Sequence, residues 1–212
     1  MRRIASIALA AALACAAVAL QSTRWSYTRA YGPFVRNGRI GQTVTEPRFT
    51  IRVDRVDGAR TIDVPPTQYT KAQQITATGV FVVVLATIEA RRSPVYAGQA
   101  RLHTRYGDYF PTDKLGGGGG LSQPVVTPLS YVRFEPGLPR RGAYVFDVPP
   151  AAVAGARLYV SDHDAEDAPF GFYRDDPRRF AAEAHVDLGL DTAEAARLTS
   201  RPPSGYSVPE PS

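Results

Sequence analysis

A chain of 212 residues with 44% hydrophobic and 21% charged residues is long enough to bury the core of one domain and is not wholly disordered. Its 18 Gly and 18 Pro favour many turns between short strands, and its single cysteine excludes an internal disulfide framework and a Cys-based zinc site. The formal charge of +5 suggests nucleic acid at first, but residues 1–24 hold Arg2, Arg3 and Arg24 and no acid, so +3 of it flanks one apolar segment and no nucleic-acid partner is expected.

That segment begins the chain. Met1-Arg2-Arg3 precede an aliphatic, Ala-rich run from Ile4 to Leu20, and no charge occurs until Arg24. As a helix, Ile4 to Thr23 spans about 30 Å, the thickness of a hydrocarbon core. Trp25 and Tyr27 follow, as interfacial aromatic residues often do. Three fates stay open. The segment is a retained signal-anchor, or a signal peptide cut near Ala17-Val18-Ala19, or a lipoprotein signal with Cys15 as acceptor. Each puts residues 25–212 outside the cytoplasm. The chain is then either a single-pass protein of the cell membrane with its C-terminal domain outside, or secreted after signal cleavage.

Residues 25–41 read as a linker broken by Gly32-Pro33 and Asn37-Gly38. From Arg48 to Val56, Phe49, Ile51 and Val53 alternate with polar residues, which predicts a half-buried strand ended by a turn at Asp57-Gly58. Residues 63–78 are polar and predict a mobile loop. Gly79 to Glu89 is a β-branched apolar run and predicts a central strand covered on both faces. A hairpin is expected over 100–110, and strands over 131–134, 142–148 and 156–160. Acidic residues 162–167 read as a loop, 184–188 as one more strand, and Asp191 as the N-cap of a short helix with Glu194 at capping-box spacing. Pro202-Pro203 and Pro209-Glu210-Pro211 predict a disordered tail over 201–212.

Short strands without crossover helices point to an all-β fold, an antiparallel sandwich or barrel over 42–161. It follows one N-terminal hydrophobic helix. An acidic loop, a strand and a short helix over 162–200 and the disordered tail come after it. Gly41-Gln42-Thr43-Val44, Gly79 to Val84, Phe134-Glu135-Pro136-Gly137 and Ala143 to Pro149 occur in an order that resembles the uncharacterised extracytoplasmic immunoglobulin-like domains of Gram-positive bacteria, above all actinobacteria. Those domains look related to the small immunoprotective secreted β-sandwich of mycobacteria. The resemblance implies a fold, an immunoglobulin-like antiparallel β-sandwich over 42–161, and a location outside the cytoplasm. Its motifs are turn and core signatures, so it carries over no functional residue.

No residue is assigned as catalytic, cofactor-binding or metal-binding. His103, His163 and His185 are far apart in sequence and form no metalloprotease motif, and Ser130 and Ser161 lack a nucleophile elbow. Asp162 to Asp167 offers oxygen ligands for calcium but lacks the glycine and distal glutamate of an EF-hand, and reads as a solvated acidic loop. Gly116 to Gly120 lacks the Lys-Ser or Lys-Thr of a phosphate loop. Arg48, Arg52, Arg55, Arg133, Arg140 and Arg141 read as the polar face of a one-sided sheet rather than a basic patch. Tyr106, Tyr109, Phe110 and Tyr131 read as cross-strand aromatic pairs. The expectation is a membrane-tethered, non-enzymatic domain without cofactor, binding a protein partner or a cell-envelope component; the alternative is a ligand- or ion-binding accessory to a membrane transporter.

Overall fold

The computed structural model describes residues 34–66, 71–112, 115, 129, 132–164, 182–209 and 211–212, all within one compact unit. The segment 1–24, the glycine run 116–120, Ser130, Tyr131 and residues 165–181 lie outside the described residues. No helix among the described residues is long and apolar enough to cross a membrane.

Among the described residues, eleven strands form two sheets. They are β1 (Phe34–Arg39), β2 (Thr43–Thr45), β3 (Phe49–Val64), β4 (Gln73–Ala90), β5 (Val95–Thr104), β6 (Gly107–Tyr109), β7 (Arg133–Phe134), β8 (Arg140–Val148), β9 (Arg157–Asp164), β10 (Ala182–Asp187) and β11 (Tyr206–Ser207). Sheet A has the order β1-β10-β9-β5-β6, with β7 also on β5; sheet B has the order β11-β3-β4-β8, with β2 also on β3. The β-sandwich expectation holds. Among the described residues the named strands that pair within 42–161 are all antiparallel, as expected; the sheets also take in strands outside those bounds, where β1 runs parallel to β10 and β11 parallel to β3. Both parallel partners are joined through long stretches of chain, as a parallel pair requires.

The alternation of β3 places Phe49, Ile51 and Val53 in the core between the sheets. Val80, Val82, Val84 and Ile88 of β4 join them, with Tyr144 and Phe146 of β8. Leu102, Leu158, Val160, Ala184 and Val186 face them from sheet A. Burying aliphatic and aromatic side chains of this size contributes about 1.5–3 kcal/mol each. The other face of β4, Phe81, Val83 and Leu85, is buried too, in a second cluster that includes Leu115 and Val208 with Tyr206 packed against it. This is why the 79–89 run is apolar at successive positions.

Four expectations need correction. Asp57-Gly58 is not a turn: a bulge between Val53 and Arg55 resets the alternation, and β3 continues with Gly58 opposite Val82. A Cβ on Gly58 would lie 2.5 Å from the Leu198 carbonyl oxygen, so glycine there permits close approach of helix α1 (Thr192–Ser200). The polar stretch 63–78 is not one loop: residues 63–64 and 73–78 are strand, with Asp63 and Val64 paired to Gln74 and Gln73. The linker 25–41 contributes β1 from Phe34 onward. The tail is ordered where described: Arg60 N donates to Pro203 O, Gly205 N to Thr61 Oγ1, and Ser212 exchanges two backbone hydrogen bonds of 3.0 Å with Arg141. Its prolines only limit which residues pair; Val208 still finds an apolar surface to cover. The helix matches its expected N-cap, Asp191 Oδ1 accepting from Glu194 N at 2.8 Å.

Candidate functional site

Sheet A buries one face and presents the other. Ala182, Ala184 and Val186 of β10 face the core, so Glu183, His185 and Asp187 take the opposite face. The same alternation puts Arg157, Tyr159 and Ser161 of β9, and Arg101 and His103 of β5, on that outer face. Register then aligns them across the sheet. One row reads Arg39, Asp187, Arg157, His103, Asp108; the next reads Asn37, His185, Tyr159, Arg101.

Tyr159 is the centre of this array. His185, directly opposite, stacks on it with centroids 3.5 Å apart and planes 8° from parallel. His103, on the other side, stacks at 4.8 Å and 11°. The Arg101 guanidinium carbon lies 5.2 Å from the same ring centre. Arg101 Nη2 donates to Glu183 Oε1 at 2.5 Å, reaching past β9, and its Nε is 3.4 Å from Asp108 Oδ2. Asp108 Oδ1 is 2.6 Å from His103 Nδ1, and Glu183 Oε2 is 3.2 Å from His185 Nε2. Arg101 to Glu183 and His103 to Asp108 are hydrogen bonds, while Arg101 Nε and His185 Nε2 stand at ion-pair distance without a well-formed hydrogen bond. The ring faces of Tyr159 are taken up by the histidines, so the array offers edges and polar atoms rather than a flat stacking platform.

At the β1 end lies an open cleft of about 250 Å³ lined by Asn37, Gly38, Arg39, Arg157, His185 and Asp187. Asp187 Oδ1 accepts from Gly189 N at 2.9 Å, which fixes its carboxylate at the strand end. Gly38 lets β1 approach β2: a Cβ there would lie 2.2 Å from Val44 Cγ2.

Beneath the array sits an acidic pair. Asp162 turns inward, accepts from Ala182 N at 3.1 Å and lies 3.2 Å from Arg48 Nε. It is therefore not part of a solvated loop; residues 165–167 of that segment lie outside the described residues. Glu46 is fully buried nearby, and neither of its carboxylate oxygens has a well-formed hydrogen bond. Burial pushes the Glu46 carboxyl above its ordinary value; Arg36 opposes this, and Asp162 adds to it. Among the described residues no group of three or more His, Cys, Asp or Glu is placed to hold a metal ion.

The remaining sequence candidates separate. His103 and His185 come together through Tyr159, while the His163 side chain lies outside the described residues. Three arginines of sheet B are matched by acids: Arg52 and Arg141 flank Thr87 and both reach Asp54, at 2.8 and 3.2 Å, and Arg55 reaches Asp57 at 3.0 Å. Tyr106 and Phe110 are exposed, with Arg105 over the Tyr106 ring, and Tyr109 packs on the core. Sequence reasoning passed over Arg101, Arg157, Tyr159, Glu183 and Asp187. Their common signal is alternation against small or aliphatic residues, which marks an exposed face without showing which strands adjoin.

No family model matches the chain, and no curated protein matches it. A solved structure similar to it is that of an uncharacterised β-sandwich protein from Clostridium difficile 630, at 9% identity and a TM-score of 0.39, over 74% of this chain and 95% of that one.

Proposed function

We propose that this chain is a non-catalytic binding domain displayed outside the cytoplasm, tethered to the membrane by the Ile4–Thr23 segment or released by its cleavage. It recognises a protein partner or a cell-envelope component through the outer face of sheet A. One observation carries this reading: the array centred on Tyr159, in which six charged or aromatic side chains from four strands lie against one another on paired backbone. Groups fixed before binding lose little entropy on binding, which suits recognition. The apolar segment and its flanking arginines support the location, and the resemblance to extracytoplasmic immunoglobulin-like domains agrees with it.

The cleft beside the array favours a second reading, a ligand-binding accessory to a membrane transporter, because it is concave and brings polar groups of three strands together. Retention on isolated cell-envelope fractions tests the first reading. Wild-type protein is expected to be retained, and His103→Ala with Arg157→Ala to reduce retention at least tenfold. Equal retention of both would remove sheet A from the account.

A further inference from the structure

We infer that the cleft at the β1 end of sheet A binds an oxyanion that brings its own hydroxyl donor, hydrogen phosphate being the smallest example. The inference rests on the reading of sheet A's outer face as the binding face. Arg39, Asp187 and Arg157 stand side by side in register on β1, β10 and β9. Two cations therefore flank one acid. Arg48, Arg52, Arg101 and Arg141 each lie within 4 Å of a carboxylate. Arg39 and Arg157 have no such partner among the described residues, although Asp187 is their neighbour in the row. The aspartate carboxylate is fixed instead on Gly189 N.

Guanidinium groups bind phosphate or carboxylate oxygens in pairs of charge-assisted hydrogen bonds, so two unpaired arginines lining one cleft suit an anion. Asp187 sets the selectivity. A carboxylate is an acceptor only. It repels an anion with no proton, such as sulfate, and accepts from one that carries a hydroxyl. Asn37 adds both a donor and an acceptor to the lining, and His185 a ring nitrogen. The cleft is larger than a phosphate ion requires, which leaves room for an attached polar group. The same chemistry is found in a phospholipid headgroup bearing both a phosphate and free hydroxyls.

Calorimetric titration of the full-length chain with inorganic phosphate and with sulfate, at one low ionic strength, tests this. Saturable binding of phosphate, at least tenfold tighter than sulfate, is expected. Arg39→Ala or Arg157→Ala is expected to weaken it at least tenfold, and Arg157→Lys by less. Asp187→Asn keeps an acceptor for Gly189 N and is expected to bring sulfate to within about threefold of phosphate. Sedimentation with phosphatidylglycerol vesicles, against phosphatidylcholine vesicles, identifies the source: an arginine-dependent preference for phosphatidylglycerol marks a headgroup, and phosphate binding without it marks a soluble anion. Equal binding of sulfate and phosphate, unchanged binding by the arginine variants, or no binding of phosphate or phosphatidylglycerol overturns the inference. If that happens while envelope retention still depends on His103 and Arg157, the binding face stands and only its ligand chemistry falls.

Discussion

Tyr159 and His185 stand opposite each other on β9 and β10, and their rings stack 3.5 Å apart and 8° from parallel. His103 closes the other side of the same ring. The stack ties β5, β9 and β10 together on the exposed face of sheet A. An aromatic pair of this kind adds about 0.5–1.5 kcal/mol beyond burial. Tyr159→Ala should therefore cost about 1–3 kcal/mol in urea unfolding, and Tyr159→Phe about 0.5 kcal/mol or less, because the contact is made by the ring.

Gly58 tests the seat of α1. A Cβ there meets the Leu198 carbonyl oxygen at 2.5 Å, and backbone cannot yield as a side-chain tip does. Gly58→Ala should destabilise by about 1–3 kcal/mol, as overpacking does. Gly137 is a contrast: it has φ +75° and open space around it, so Gly137→Ala should cost about 1–2 kcal/mol through backbone strain alone. Relief of the Gly58→Ala loss by Leu198→Ala would not be expected, since the clash is with the main chain. Thermal unfolding of the three variants checks these values.

Glu46 gives a pH dependence. Its carboxyl is raised by burial, so the folded protein takes up this proton at a higher pH than the unfolded chain does. Its contribution to stability is then fully present below the ordinary glutamate value and is lost as pH rises through the raised one. Arg36, Asp162 and His185 are the charged groups that bear on it. Glu46→Gln should remove this dependence and make the variant more stable than wild type near neutral pH. Denaturation midpoints measured from pH 4 to 8 check it; an advantage for wild type at pH 7 would show that the carboxylate is satisfied.

The C-terminal strand is structural. Tyr206 Oη donates to Asp57 Oδ2 at 2.6 Å, and burial with that bond pushes its phenol up to about 12. Val208 is buried in the second apolar cluster. Deleting residues 205–212 should lower stability by about 2 kcal/mol or more, since the Val208 side chain alone contributes on the order of 1.5 kcal/mol. It should also expose Phe81 and Leu85 to a hydrophobic dye. Unchanged unfolding would return this segment to the status of a dispensable tail.

The strands were legible in the sequence wherever burial imposed a pattern. Phe49, Ile51 and Val53 alternate because one side of β3 meets the core, and Val80 to Ala86 is continuously apolar because both sides of β4 are covered there. Gly58 misled because a glycine reads as a turn, whereas here it serves a helix packed on a strand. The tail misled because proline content speaks of backbone restriction and not of the surface a single valine can cover. The site was hidden for another reason. His103, Tyr159 and His185 are brought into contact from two adjacent rows by the pairing of β5, β9 and β10, and no local feature of a strand names its partner. Alternation showed that these positions face away from the core, and only register showed that they meet.

The central claim is that the outer face of sheet A is the surface this protein uses. A photo-crosslinking residue placed at position 161, on that face but outside the array, and another at position 52, on the outer side of sheet B, test it most directly in intact cells. The account predicts an adduct of one defined mass from position 161, lost when Tyr159 is replaced by alanine in the same chain, and none from position 52. The same adduct from both positions, or adducts from position 52 alone, would contradict it.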